Sequence, residues 1–308
     1  MQIKTVNNFV NEHMIIEYEL FTLCDKSCTY CYNVVDTGGK RYNNPIDEVL
    51  RGLKRIMEMD NKKVIIQLIG GEVMLHKHFA EIIDYLYINS HSDHKFTLFT
   101  HADHPPEFFK SRIDLLKKFG DRVRISCTLH TQELNRAQFM TNIAYVDKTF
   151  EHSNLFFFTD NNYLKDLETV KEAIESTVTM KLFPIILDDS DAYTTAVQLV
   201  NMNTKFDEYL DRMDTTYIID GQAFPYNKGK YKMVRDTNLT YTGKKCTVRA
   251  YEIDRAGDVT MSCFETGQQP IANIFRNPSR KLLDGCSITC KQKRCNMNLV
   301  NFEVADES

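Results

Sequence analysis

Six apolar, β-rich runs recur between residues 14 and 187, at Met14–Leu23, Val64–Ile69, Phe96–Thr100, Val123–Leu129, Leu155–Thr159 and Leu182–Leu187. "VIIQLIG" and "NLFFFT" are almost continuously hydrophobic, which suits strands covered on both faces in a parallel sheet. Helical stretches lie between them. Asn44 and Pro45 read as a cap and a first helical residue. Asp47 and Glu48 follow in the first turn, and Val49, Leu50, Leu53, Ile56 and Met57 repeat at helical spacing. His78–Tyr87, Pro106–Phe119, Asn142–Phe150, Tyr163–Ser176 and Thr194–Met202 read the same way. Strand and helix alternating six times predict a parallel α/β sheet. Periodicity leaves open whether that sheet is doubly wound or a partial barrel.

The pattern breaks near residue 206. "AFPYNKGKYKMVRDTNLTYTGKK" is polar and tyrosine-rich and reads as a connector over 206–245. From Cys246 the cysteine density rises. "RAYEIDRAGDVTMSCFE" reads as a hairpin turning at Asp254–Asp258 around Gly257, and "NPSRKLLDG" as a short helix. The expected organisation is a main domain over 1–205, the connector, and a small cysteine-rich domain over 246–308.

The 308 residues, 43% hydrophobic and 26% charged, describe an ordinary globular chain. A net charge of −4 argues against wholesale nucleic-acid binding. No apolar run approaches a membrane span, and the polar N-terminus "MQIKTVNNFVNEH" lacks a secretory signal's apolar region. A cytoplasmic location is therefore expected, where nine cysteines favour metal binding or catalysis over disulfides. Charge is uneven: from Gln222 onward 14 Lys+Arg face 9 Asp+Glu, a balance of +5.

Cysteine placement carries the chemistry. "CDKSCTYCYN" spaces three thiols as Cys24-x3-Cys28-x2-Cys31, directly after the first long strand, where α/β folds place their sites. A disulfide would strand one thiol, and a structural zinc would want a fourth ligand, for which only His13 lies near. Three thiolates can hold three corners of a four-iron cluster and leave the fourth iron open.

With Tyr30 before the last cysteine, this CxxxCxxC loop resembles the radical SAM superfamily. "LIGGEVMLH" after the second strand resembles that family's GGE motif, which implies that Gly70, Gly71 and Glu72 contact the methionyl ammonium of S-adenosylmethionine (AdoMet). "FTLFTHA" stands where relatives have a threonine–asparagine–glycine strand end, matched here by Thr100 alone. "ISCTLHTQEL" resembles the segment whose hydroxyl meets the ribose, with Thr128 and Ser126 as candidates. The resemblance implies a (β/α)6 partial barrel, a 4Fe–4S cluster on Cys24, Cys28 and Cys31, and reductive cleavage of AdoMet to a deoxyadenosyl radical that abstracts hydrogen.

Cys246 and Cys263 flank the expected hairpin, and Cys286, Cys290 and Cys295 follow. This arrangement resembles the SPASM/Twitch extension of the family. Five cysteines suit the Twitch form with one auxiliary 4Fe–4S cluster, held by Cys246, Cys263 and two of the last three, leaving one spare. Lys291, Lys293 and Arg294 lie among these ligands, and a basic face suits an acidic flavodoxin- or ferredoxin-type donor. Cys127 reads as a core residue.

Asp188, Asp189 and Asp191 end the sixth strand, where carboxylates can bind a polar substrate, serve as a base or cap a helix. His130 ends the fourth strand and is a further candidate. The motif-bearing part begins close to the N-terminus, which tilts the expectation toward a small polar substrate (a sugar, cyclitol or nucleoside) undergoing oxidation or epimerisation. A ribosomal peptide is the alternative, and a non-catalytic iron–sulfur or zinc protein the reading of another class.

Overall fold

The computed structural model describes residues 1–10, 13–28, 31, 44–58, 63–130, 134–158, 167–185, 207–235, 239–254, 256–261, 270–276, 286–290 and 302–305. A short strand β1 (Ile3–Val6) precedes the alternating region. That region runs β2 (Met14–Phe21), α1 (Ile46–Met57), β3 (Val64–Gly70), α2 (Phe79–Asn89), β4 (Lys95–Thr100), α3 (Pro106–Ile113), β5 (Val123–Leu129), α4 (Arg136–Thr149), β6 (His152–Phe158), α5 (Leu167–Glu175) and β7 (Lys181–Ile185). Then come β8 (Thr216–Ile219), β9 (Gln222–Pro225), α6 (Tyr226–Arg235), β10 (Lys245–Val248), β11 (Ala250–Ile253), β12 (Asp258–Met261), β13 (Ala272–Asn273), β14 (Cys286–Thr289) and β15 (Phe302–Ala305).

Strands β2 to β7 are neighbours in chain order, and every adjacent pair is parallel. With no reversal of order, right-handed crossovers put every helix on the same face. The result is a (β/α)6 partial barrel, which removes the ambiguity left by periodicity. Side-chain alternation assigns the two faces. The Tyr18 hydroxyl donates to the Val49 carbonyl of α1 at 3.4 Å, and its ring lies where any Cβ on Gly52 would go. Ile16, Tyr18 and Leu20 therefore face the helices, and Glu17 and Glu19 face the concave side. Register carries that side across the sheet through Gln67, Thr97 and Arg124, and one step higher through Phe99, Ser126 and Asn154.

Two helix starts differ from the sequence reading. Pro45 caps α1 rather than opening it, because its ψ of 143° is extended. Helix α4 begins at Arg136, ahead of the expected Asn142, because the Asn135 side chain accepts from the Gln138 amide at 3.3 Å. The expected helices at 194–202 and 277–285 lie outside the described residues.

The expected hairpin is present as β11–β12. It is closed by the Asp254 amide donating to the Asp258 carbonyl at 3.1 Å, with Gly257 at φ +80°. It extends the barrel, since β11 pairs parallel with β2. A second sheet among the described residues is antiparallel, in the order β14-β10-β15-β1-β8-β9. It contains β1, which sequence reading missed. The stretch read as a connector, 206–245, holds β8, β9 and α6. Helix α6 buries Tyr226, Gly229 and Met233 at i, i+3 and i+7, so its signal was present but masked by the lysines between them.

The amino ends of the barrel strands are plugged by residues 7–10. The Asn7 side-chain amide donates to the Asp214 carboxylate at 2.5 Å and to its carbonyl at 3.1 Å. Arg124 lies 4.7 Å over the Phe9 ring and 3.7 Å from the Asp214 carboxylate, both charges buried. Asp214→Ala would remove the carboxylate that faces this guanidinium. The expected loss is about 3 kcal/mol, to be read from urea unfolding; an unchanged midpoint would show that the pair carries no net stability.

Candidate active site at the carboxyl ends of the barrel strands

Strand β2 ends at Phe21, and the chain then delivers Cys24, Cys28 and Cys31, none of which is in a disulfide. The Lys26 amide points at the Cys24 sulfur at 3.5 Å, and the Cys31 amide donates to the Cys28 carbonyl at 3.1 Å. Cys28 is buried, its sulfur 3.7 Å from His130 Nδ1. Burial, with the His101 and Lys26 charges nearby, lowers the His130 pKa to about 3, so its imidazole is neutral at pH 7. Burial pushes the Cys24 thiol up to about 12, although the Lys26 amide opposes the shift. Tyr30 lies outside the described residues.

The Gly-Gly-Glu turn leaving β3 is bonded directly to this loop. The Gly71 amide donates to the Phe21 carbonyl at 2.7 Å, and the Glu72 amide to the Leu23 carbonyl at 2.8 Å. A Cβ on Gly71 would fall 1.9 Å from the Leu23 oxygen, and one on Gly70, at φ +131°, 2.1 Å from the Phe21 oxygen. Both glycines are thus required by the closeness of the two backbones.

Glu72 is buried and caps a short 3-10 turn, accepting from the Met74 amide at 3.3 Å. Its other oxygen accepts from the Thr100 hydroxyl at 3.1 Å and the His101 amide at 2.9 Å. Burial alone would raise its pKa, but the His104 and His101 imidazoles and the His101 amide outweigh burial and lower it. His101 and His104 sit 4.3 Å apart, ring to ring, between Glu72 and Asp25. Against the cost of its burial, hydrogen bonding to Asp25 and the two carboxylate charges raise the pKa of His101. Sequence reading missed His101 and His104. The signal was two histidines and an aspartate in "THADH" straight after a buried strand.

Deeper on the concave side, Phe99 meets Phe156 at 5.5 Å and Phe156 stacks on Phe183 at 4.6 Å, with Thr128 in register with Phe156. The Thr97 and Ser126 hydroxyls face the same side, fully buried and with no hydrogen-bond partner among the described residues. Glu17, in register between Gln67 and Glu252, has its carboxyl pushed up to about 8 by burial and then by Glu252. A raised carboxyl pKa contributes stability that is complete below the unfolded value and is lost as pH climbs through the folded one. Urea midpoints should therefore fall between pH 5 and pH 8, and Glu17→Gln should flatten that fall. An equal fall in the variant would exclude Glu17 as its source.

In the second sheet, β10 pairs with β14 so that Cys246 opposes Ile288 and Val248 opposes Cys286. The Cys290 amide donates to the Lys244 carbonyl at 2.9 Å, and its own carbonyl accepts from the Gly243 amide at 2.8 Å. One strand pair thus brings Cys246, Cys286 and Cys290 into neighbouring backbone positions. Cys263, Cys295, Asp188, Asp189 and Asp191 lie outside the described residues. Cys127 is fully buried in β5, as expected of a core residue.

These features meet in one enzyme class. The chain belongs to the radical SAM superfamily, whose profile matches residues 18–190, more than half of its length. No curated protein matches its sequence. The solved structure of hexahistidine-tagged anSMEcpe with bound AdoMet is similar, with a TM-score of 0.58 at 13% identity over 88% of this chain and 80% of that one. Native anSMEcpe with AdoMet and the Cp18Cys peptide gives 0.56 at 13%, again over 88% and 80%. Streptococcus suis SuiB bound to precursor peptide SuiA gives 0.56 at 15% over 88% of this chain and 64% of SuiB. At these identities the likeness is one of fold. No helix among the described residues is long and apolar enough to cross a membrane.

Proposed function

We propose that this radical SAM enzyme binds a 4Fe–4S cluster through Cys24, Cys28 and Cys31, and AdoMet beside it, to abstract hydrogen from a small polar substrate. The observation that carries the reading is the pair of backbone hydrogen bonds from Gly71 and Glu72 to Phe21 and Leu23. They hold the Gly-Gly-Glu turn against the stem of the three-thiol loop. The donor set fits a cluster: three cysteines on one loop, none in a disulfide, with a backbone N–H already aimed at the Cys24 sulfur. When bound, the cluster and AdoMet supply a deoxyadenosyl radical.

The chain's own residues do the rest. Cys24 gives up its proton on binding iron. Neutral His130 covers the buried Cys28 sulfur. Gly70 and Gly71 keep the turn close enough for its backbone to meet the methionyl ammonium, and Glu72 supplies negative charge there. Thr100 and the His101 amide fix the Glu72 rotamer. Thr128 and Ser126 serve the ribose, and the Phe99–Phe156–Phe183 wall excludes water from the radical. The buried Thr97 hydroxyl favours a polar substrate such as a sugar, cyclitol or nucleoside, with oxidation or epimerisation as the outcome. Asp188 and Asp189 are candidates to bind it.

An auxiliary 4Fe–4S cluster within residues 246–308, on Cys246, Cys263 and two of Cys286, Cys290 and Cys295, would accept an electron from the substrate radical. A flavodoxin- or ferredoxin-type protein would reduce the catalytic cluster. A second reading, a peptide substrate, draws support from the peptides held by anSMEcpe and SuiB in the same fold.

Anaerobic reconstitution tests the proposal. About eight irons per chain, and 5′-deoxyadenosine on adding AdoMet and dithionite, are expected. About four irons with turnover would confine the cluster to the barrel. Zinc in place of iron, with no deoxyadenosine, would overturn the reading.

A further inference from the structure

The loop from Cys24 to Cys28 leaves β2 and is held from outside through two consecutive side chains. Asp25 accepts a hydrogen bond from His101 Nε2 at 2.8 Å. Lys26 donates to Asp103 at 2.6 Å, in an ion pair whose side chains are 8% and 3% exposed. Asp25 and Lys26 are two of the three residues between the first two cysteines of the motif.

The turn that receives them, residues 100–104, is built to be rigid. Ala102 lies at φ +52°, a left-handed conformation that costs a non-glycine residue about 1 kcal/mol and persists only where neighbours over-determine it. Those neighbours are identifiable. The Ala102 amide donates to the Thr100 hydroxyl at 3.0 Å, while the Asn142 side-chain amide donates to the Ala102 carbonyl at 2.9 Å and the His104 carbonyl at 2.8 Å. The Asn135 amide donates to Asp103 at 2.8 Å. The Asp103 amide donates to His101 Nδ1 at 3.0 Å, which places the proton on Nε2, aimed at Asp25. The same turn holds Glu72 through Thr100 and the His101 amide.

We propose that His101 and Asp103 are positioning residues for the cluster loop: they grip Asp25 and Lys26 and so set the spacing of Cys24 and Cys28 relative to Glu72. Thr100 and the His101 amide hold Glu72 from this turn, while the His101 and Asp103 side chains reach across to the loop. The inference rests on the reading that this loop carries the catalytic cluster.

The test compares reconstituted wild type with His101→Leu, His101→Gln and Asp25→Ala. The readouts are iron loading, the rate at which a chelator strips the iron, and amide exchange over residues 24–28. His101→Gln keeps a donor for Asp25. Asp25 is 48% exposed at its side chain, so truncating it leaves no buried hole should His101→Leu fail to fold. His101→Leu and Asp25→Ala are expected to load iron yet lose it about tenfold faster, in line with one charge-assisted hydrogen bond removed. Their exchange should quicken over 24–28 but not in β5 and β6, and His101→Gln should stay close to wild type. Wild-type stripping rates in His101→Leu and Asp25→Ala would overturn the positioning role and leave the cluster reading intact. Failure of the wild type itself to take up iron would overturn both.

Discussion

Gly71→Ala is expected to destabilise the protein by about 3 kcal/mol and to weaken AdoMet binding at least about tenfold. The reason is geometric. The new Cβ would sit 1.9 Å from the Leu23 carbonyl oxygen and 2.4 Å from its carbon, both backbone atoms that cannot swing aside. The turn and the β2 exit must separate. That breaks the Gly71–Phe21 bond of 2.7 Å and the Glu72–Leu23 bond of 2.8 Å together. Leu23 immediately precedes Cys24, so the shift reaches the cysteine loop within one residue. Urea unfolding would report the stability and calorimetry of the reconstituted protein the affinity. A wild-type unfolding midpoint would show that the two loops are not in the contact described.

Cys28→Ala should leave the fold intact and remove the catalytic cluster. Its thiol is buried beside His130, and a small side chain lost there costs little packing. With two thiols left on the loop, a four-iron cluster lacks a corner. Iron content should fall by about four per chain, and deoxyadenosine formation should drop to background. Cys127→Ala is the matched comparison: also buried, in β5, and expected to lose about 1 kcal/mol of stability with iron unchanged. If Cys28→Ala retained its iron, or Cys127→Ala lost it, the assignment of the loop would be wrong. Performed alongside the His101 and Asp25 variants, this substitution separates loss of a ligand from loss of its positioning.

The parts of this protein legible in its sequence are those whose cause is local. A strand covered on both faces must be apolar throughout, so β2 to β7 are visible as runs, and α1 shows in its 3.6-residue stripe. The thiol loop and the Gly-Gly-Glu turn are visible because each is a short run of neighbouring residues whose spacing can be read directly. Helix α6 was within reach, since Tyr226, Gly229 and Met233 carry helical spacing, but the lysines between them obscured it.

Tertiary structure decided what joins distant segments. Nothing in "IKTV" shows that β1 will pair with β15, with Ile3 opposite Val304, because four residues carry too little pattern to name a partner. Consecutive strand order, and with it the partial barrel, is likewise set by crossovers and not by any one strand. The grip of His101 and Asp103 on Asp25 and Lys26 spans 76 and 77 residues of chain. The sequence by itself determined which groups stand at the ends of the strands, because period and spacing are properties of neighbouring residues. Only the folded barrel decided which of those groups touch, because parallel strands bring their carboxyl ends together however far apart they lie along the chain.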